Sequence, residues 1–132
     1  ERCIIGNGCE IHGNVSNSVI SANVVIEEGA IVRDSIIMDN TVIKKGTVVD
    51  KAIIAENVVI GEKCTIGTGE YAESKLDTRV YASDLVVIGE NSTVPSNVTV
   101  GRNVAISGKT VISDYPDGKL ESGDYIIKAG EI

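Results

Sequence analysis

The chain has 132 residues and a formal net charge of −7, which argues against nucleic-acid and acidic-membrane partners, since both require a basic surface. Ile and Val number 19 and 18 against 3 Leu, with no Phe and no Trp. β-Branched residues favour strands, so the composition argues against a helical bundle. No apolar run is long enough for a transmembrane helix. We therefore expect an all-β chain without nucleic-acid or membrane partners.

The start of the chain and its cysteines indicate what kind of protein and cellular environment to expect. The sequence begins at Glu1 with neither Met nor a signal-peptide pattern, so we expect a segment of a longer protein. The three cysteines, Cys3, Cys9 and Cys64, leave one unpaired in any pairing, which fits a reducing, cytoplasmic environment. Since there is no CxxC motif and His12 is the only histidine, we expect no metal site.

A 17-residue repeat organises the first half of the chain. Three copies, SVISANVVIEEGAIVRD, SIIMDNTVIKKGTVVDK and AIIAENVVIGEKCTIGT, begin at Ser18, Ser35 and Ala52. In each copy an aliphatic residue recurs at steps of six, six and five, and we predict that these residues face inward: Ile20, Ile26, Val32, Ile37, Ile43, Val49, Ile54, Ile60 and Ile66. Projection back by 17 predicts Cys3, Cys9 and Val15 as the inward residues of a preceding coil.

Turn-forming residues recur three positions after these aliphatics. Asn23, Asn40 and Asn57 mark one corner, and glycines mark the next. Because Asn and Gly tolerate a positive φ, each corner is predicted to need one such backbone conformation. The back-projection also puts Gly6 and His12 in this position.

Short strands joined by three corners per repeat predict a triangular parallel β-solenoid whose coils stack at about 4.8 Å. The pattern resumes at Ile88 and runs in steps of six to Ile112, which makes nearly six coils. We assign residues 1–112 to the solenoid, with an inserted loop at 67–85, and residues 113–132 to a C-terminal cap. The cap is predicted to contain a turn at Pro116–Gly118 and a terminal strand within 124–128.

Charged residues 17 apart support this register, because neighbours on adjacent coils carry opposite signs. Each such pair stabilises by roughly 0.2–1 kcal/mol. The predicted pairs are Glu27–Lys44, Arg33–Asp50 and Asp34–Lys51, with Lys45 between Glu28 and Glu62.

The sequence contains no nucleophile elbow, no phosphate-binding loop and no histidine constellation, so we name no catalytic residue. Solenoid carbonic anhydrases need three histidines and are excluded. A hexapeptide acyltransferase, in which His12 would be the general base, stays open as an alternative.

Several motifs resemble known families. IGEKCT at 60–65 and VGRNVA at 100–105 resemble the left-handed β-helix superfamily, which implies that handedness. The strings GNVSNSVI at 13–20, VRDSIIM at 32–38 and KAII at 51–54 resemble the C-terminal domain of bacterial glucose-1-phosphate adenylyltransferase. The segment 86–104 also resembles such enzymes.

This resemblance implies a parent enzyme in which an N-terminal catalytic domain joins ATP, with Mg²⁺, and glucose 1-phosphate into ADP-glucose and pyrophosphate for glycogen biosynthesis. It implies no cofactor in the present chain. In the family, the β-helix packs on its own catalytic domain, contributes to a homotetramer and helps to bind a phosphorylated effector. Another sugar-nucleotide pyrophosphorylase or a non-catalytic paralogue stays open.

The stretch YIIKAG at 125–130 is similar to an activator-binding stretch of plant members, which implies an effector-binding role for Lys128. Arg102 and Lys109 are weaker effector-binding candidates, chosen because the predicted register gives them no charged neighbour.

Overall fold

The computed structural model describes residues 3–69, 72 and 85–128. Its strands are two or three residues long, and the pairings between them in this part of the chain are parallel. Two short 3₁₀ helices, Ile112–Asp114 and Pro116–Gly118, precede the last two strands. The strands are β1 (Ile4–Ile5), β2 (Glu10–Ile11), β3 (Asn14–Ser16), β4 (Val19–Ile20), β5 (Val25–Ile26), β6 (Ile31–Arg33), β7 (Ile36–Ile37), β8 (Val42–Ile43), β9 (Val48–Asp50), β10 (Ala52–Ile54), β11 (Val59–Ile60), β12 (Thr65–Ile66), β13 (Val86–Ile88), β14 (Thr93–Val94), β15 (Thr99–Val100), β16 (Ala105–Ser107), β17 (Lys119–Leu120) and β18 (Tyr125–Ile127).

Successive strands belong to three different sheets, so the chain winds around a common axis. Sheet A has the order β1-β4-β7-β10-β13-β16-β18, sheet B the order β2-β5-β8-β11-β14, and sheet C the order β3-β6-β9-β12-β15-β17. The result is a solenoid of about six coils with the architecture of a left-handed β-helix, which confirms the predicted fold class. None of the helices in the described part of the chain is long and apolar enough to cross a membrane.

The inward-facing aliphatic residues form columns along this axis. Ile43 pairs in register with Ile26 on one side and with Ile60 on the other, and all three are 0% exposed. This stacking confirms the repeat of 17 and the inward positions predicted for its three copies, which are all 0–1% exposed. The narrow interior holds β-branched residues because their compact side chains fit between coils that stack at strand spacing.

Every corner that we predicted to need a positive φ from Asn has one: φ is 59° at Asn23, 62° at Asn40 and 59° at Asn57. The shorter corner between sheets C and A also has one in successive coils, at Asn17, Asp34 and Lys51. The sequence analysis did not single out these residues, since it took its turn-forming markers from the asparagines and glycines of the other two corners.

The first coil departs from the repeat, and two inward assignments were wrong. Ile5 and Ile11, rather than Cys3 and Cys9, pair with the inward residues of the next coil, at an interval of 15. Only Val15 keeps the interval of 17.

The shift arises at the corner around Gly13, where the inward residues Ile11 and Val15 are four positions apart instead of six. A Cβ at Gly13 would collide with the carbonyl oxygen of Ala30, so the backbones approach more closely there than any other residue would allow. The same shift removes the predicted positive φ from Gly6 and His12, and Gly8 has it instead, at 78°.

The prediction that Ile112 is the last inward residue was also wrong. Ile112 lies in the first 3₁₀ helix and is 53% exposed. The corner at Gly108 is short, and Lys109 bridges to Thr93, which brings the buried Thr110 next to the inward column. The solenoid then continues in β17 and β18.

Residues 113–128 of the predicted cap contribute two strands to the solenoid. Leu120 pairs with Val100, and Ile126 pairs with Ile106. The predicted turn at Pro116–Gly118 and the terminal strand are both present. A domain division at residue 112 stays a prediction. Most of the predicted loop 67–85 lies outside the described residues, while strands β10 and β13, whose paired residues are 34 apart, are direct neighbours.

Candidate functional site

The predicted effector-binding residue Lys128 lies at the corner that follows sheet A in the last coil. Its backbone N–H donates to the carbonyl of Ser107 in the coil before. Its Nζ donates to Oδ2 of Asp114 at 3.0 Å, and its side chain is 31% exposed. The ammonium group is therefore reachable from solvent and already has one anionic neighbour.

Asp114 belongs to the first 3₁₀ helix, which places its carboxylate within hydrogen-bonding distance of two donors. The same Oδ2 accepts a hydrogen bond from the backbone N–H of Val111 at 2.8 Å. Two hydrogen bonds lower the pKa of Asp114 below its ordinary value. The one from the Val111 N–H has the larger effect, and the one from Lys128 the smaller. The carboxylate is therefore ionised at neutral pH and holds the ammonium group of Lys128 by charge as well as by geometry.

A buried tyrosine fixes the short helix against the solenoid. Tyr115 is 2% exposed, and its hydroxyl lies 2.8 Å from Oγ1 of Thr110. Burial, partly offset by this hydrogen bond, raises the pKa of Tyr115 to about 12. Because Tyr115 follows Asp114 directly, its packing also determines where the carboxylate that contacts Lys128 can lie.

Lys109 lies at the same corner as Lys128, one coil earlier. It is exposed, and it directly follows Gly108, which is the register neighbour of Lys128. The structure thus places two of the three predicted basic residues along one corner of the solenoid.

Arg102 lies at the opposite border of sheet A, at the corner between sheets C and A. Its Nε donates to the carbonyl of Gly69 at 2.6 Å, and its backbone N–H donates to Oγ of Ser122 at 2.9 Å. The structure therefore does not bring Arg102 together with the two lysines, and it gives its guanidinium group a structural partner. Asn103 adds a second such contact, from Nδ2 to the carbonyl of Ala72 at 3.0 Å.

The effector role of Lys128, Arg102 and Lys109 stays a prediction. Asp114 and Tyr115 are the functional candidates that sequence reasoning missed. The interval of 14 residues between Asp114 and Lys128 has no counterpart in the repeat, so no periodic signal pointed to the pair.

Other candidate chemistry lies elsewhere. His12 directly follows β2 in the first coil, where its Nε2 is 3.8 Å from Oε1 of Glu10 and its side chain is 62% exposed. Burial raises the pKa of the Cys64 thiol, so the reactive thiolate is disfavoured. Within 3–69, 72 and 85–128, no three His, Cys, Asp or Glu residues are grouped so that they could hold a metal ion.

Residues 1–88 match the family model described as GlmU-like, C-terminal hexapeptide. The chain belongs to this family. Over 131 residues, or 99% of its length, it is 63% identical to glucose-1-phosphate adenylyltransferase of Lachnospira eligens, of which it covers 31%. It is also 54% identical to the enzyme of Thermotoga neapolitana over 128 residues, covering 97% of this chain and 30% of that enzyme. For the enzyme of Thermotoga maritima the identity is 56% over 124 residues, with coverages of 94% and 29%.

These similarities confirm the resemblance predicted from the hexapeptide strings. They also show that the hexapeptide chain spans less than a third of the length of the curated relatives it matches.

Proposed function

We propose that this chain is the β-helix domain of a glucose-1-phosphate adenylyltransferase that converts ATP and glucose 1-phosphate into ADP-glucose and pyrophosphate. The observation that carries the proposal is the 63% identity over 99% of the chain. In this proposal the parent enzyme uses ATP with Mg²⁺, works in the cytoplasm and supplies glycogen biosynthesis. The domain described above contributes packing, assembly and regulation.

The partners in this proposal are the enzyme's own catalytic domain, further subunits of a homotetramer and a phosphorylated metabolite. The two lysines at one corner support the last of these, since Lys109 and the Asp114-paired Lys128 offer ammonium groups to a phosphate. A phosphate that binds Lys128 must compete with Asp114, so the ion pair sets a threshold for effector binding.

The proposal is tested with the full-length enzyme, by measuring pyrophosphate release from ATP and each of several sugar 1-phosphates. Release that is specific for glucose 1-phosphate and ATP supports it. Preference for another nucleotide or sugar 1-phosphate would instead indicate a related pyrophosphorylase, and no turnover of any pair would indicate a non-catalytic paralogue.

The acyltransferase alternative has one supporting observation, the exposed His12 beside the carboxylate of Glu10. A carboxylate can orient an imidazole that acts as a general base. Acyl transfer from acetyl-CoA that is abolished by His12→Ala, with unchanged thermal unfolding, would favour this alternative over the adenylyltransferase.

A further inference from the structure

The two ends of the solenoid differ in how far their interior is covered. At the C-terminal end Tyr115 and Leu120 close the interior, at 2% and 4% exposure. At the N-terminal end the inward Ile5 is 47% exposed, whereas Ile20, its register neighbour in the second coil, is 1% exposed. The other inward residues of the first coil, in β2 and β3, are also only partly buried. The apolar interior is therefore open at this end.

The backbone of the first coil is incomplete on the same side. In later coils the carbonyl of an inward residue accepts a hydrogen bond from the coil before it, as when the N–H of Gly6 donates to Ile20 at 2.8 Å. Strands β1, β2 and β3 are the edge members of their sheets. Among the described residues, no backbone N–H donates in this way to the carbonyls of Ile5 and Ile11. Edge strands with unpaired backbone groups are templates for a further strand.

Both deficits are met by one kind of occupant, a further layer of strands. A helix across this end would cover the apolar side chains but leave the strand carbonyls unpaired, and a buried unpaired carbonyl costs free energy. Strands of another coil cover the side chains and supply the donors at the spacing of about 4.8 Å that strands in a sheet have. Consecutive strands usually lie next to each other in space, so the polypeptide that leads into β1 is the nearest source of that coil.

The corners of the described coils place this polypeptide in register. The step from the inward residue of sheet C to that of sheet A is five residues, from Val15 to Ile20 and again in the next two coils. The same step back from Ile5 reaches the residue directly before Glu1. That residue is then the neighbour of Val15 in sheet C and faces the interior.

The step before it is also fixed by the repeat. From sheet B to sheet C the inward residues are six apart, from Ile26 to Val32 and again in the next three coils. This step reaches the seventh residue before Glu1, which becomes the neighbour of Ile11 in sheet B. Since both positions face the interior, both require an aliphatic side chain.

We propose that the residues immediately before Glu1 form a further coil of this solenoid, with one aliphatic side chain on Val15 and another, six residues earlier, on Ile11. The inference rests on the proposed function, since it takes the parent to be a longer polypeptide like the relatives of which this chain covers 31%. It places the junction between the solenoid and the rest of the parent polypeptide at least seven residues before Glu1.

The first test forms a disulfide bond across the new strand pairing in the full-length enzyme. The second residue before Glu1 would be outward and opposite Asn14, and paired residues on neighbouring strands lie within the Cα separation of roughly 4.4–6.8 Å that a disulfide needs. Cysteine is introduced at that upstream position together with Asn14→Cys, and diamide takes up the two thiol hydrogens as the disulfide forms. The matched control combines the same upstream cysteine with Lys119→Cys, at the far end of sheet C. We expect a disulfide within one subunit in the first variant, detected by peptide mass spectrometry, and none in the control.

The second test measures alkylation of Cys9 by iodoacetamide in the full-length enzyme. Cys9 is partly buried at the open end, while its equivalent in the second coil, Val24, is 0% exposed. The control is Val42→Cys, at a partly buried outward position of sheet B. We expect Cys9 to react about tenfold more slowly than the introduced cysteine, because the further coil covers it. Aspartate in place of the seventh residue before Glu1 should abolish that difference.

A disulfide only between two subunits would overturn the proposal, because the end would then be closed by a second copy. Equal alkylation of Cys9 and the introduced cysteine would also overturn it, because the end would then be open. The two proposals fail separately. An enzyme that makes ADP-glucose but forms no disulfide at position 14 disproves the further coil alone, whereas an enzyme that forms it without that activity disproves the proposed function.

Discussion

The hydroxyl oxygen of Ser18 accepts a hydrogen bond from the backbone N–H of Ser35, seventeen residues later, at 3.1 Å. The same hydroxyl donates to the carbonyl of Ser16 at 2.8 Å. Ser35 repeats both contacts one coil further on, with Arg33 and Ala52. The buried serine hydroxyl two positions before the inward residue therefore links adjacent coils at this corner through one donated and one accepted hydrogen bond.

Removing one of these serine hydroxyls should leave a buried backbone N–H without a hydrogen-bond partner. In Ser35→Ala the N–H of Ala52 loses its acceptor, and an unsatisfied buried group costs about 1–3 kcal/mol. We expect urea unfolding to show a loss of that size. Ser35→Thr is the control, since the hydroxyls of Thr41 and Thr47 also accept from the backbone N–H seventeen residues later. A similar loss in both variants would mean that the hydroxyl is not responsible.

A charge placed on the axis should unfold the chain. Ile43→Asp buries an unpaired carboxylate between Ile26 and Ile60 in an aliphatic column, and we expect cooperative thermal unfolding to disappear. The control is Val42→Asp, one residue earlier, where the side chain faces outward and is partly exposed. Cooperative unfolding of the Ile43→Asp variant near the native temperature would contradict the inward assignment.

The corner at Asn40 offers a direct test of backbone strain. Its φ of 62° lies in the left-handed region, which β-branched residues resist. We expect Asn40→Val to lower the free energy of unfolding by about 1–3 kcal/mol, and Asn40→Gly to change it much less. Calorimetry of both variants measures the difference, and equal melting temperatures would be the contrary result.

Alkaline pH should loosen the last coil through Tyr115. Burial raises the pKa of Tyr115 to about 12, above its ordinary value of 10.0, so the folded state favours the neutral phenol. This contribution is complete below pH 10 and is lost as the pH rises towards 12. We expect Tyr115→Phe to remove that loss of stability in equilibrium unfolding, while the exposed Tyr125→Phe should retain it.

Acid should act on the ion pair of Lys128. The lowered pKa of Asp114 means that its carboxylate stabilises the fold above the ordinary value of 3.8 and that this contribution is lost as the pH falls below it. We expect Asp114→Asn to flatten the acid side of the stability profile. Lys128→Ala should flatten it only in part, because the hydrogen bond from Val111 is the larger cause. An unchanged acid profile in both variants would rule out the pair.

The sequence was sufficient for the fold wherever the repeat was regular. The interval of 17 and the β-branched inward residues gave the columns and their register, and the charge pattern gave the Arg33–Asp50 pair, whose atoms lie 3.3 Å apart. Glu27 illustrates the limit of that pattern, since its carboxylate accepts from the backbone of Lys45.

Prediction failed where a corner changed length. The tight turn at Gly13 and the short corner at Gly108 each changed the interval between inward residues, and a Cys or an Ile at the expected position concealed the change. The candidate site was less predictable than the fold. Lys128 came from resemblance, while its partner Asp114 depends on a short helix whose position is set by the packing of Tyr115.

The direct pairing of β10 with β13 has a consequence for how such chains can vary in length. Ile54 and Ile88 are two full repeat lengths apart in sequence, yet they occupy adjacent levels of the same sheet. A stretch as long as one repeat can thus be inserted while every later residue keeps its inward or outward position. An engineer could exchange that stretch for a foreign peptide, or shorten it, and every level beyond it would still meet its original neighbours.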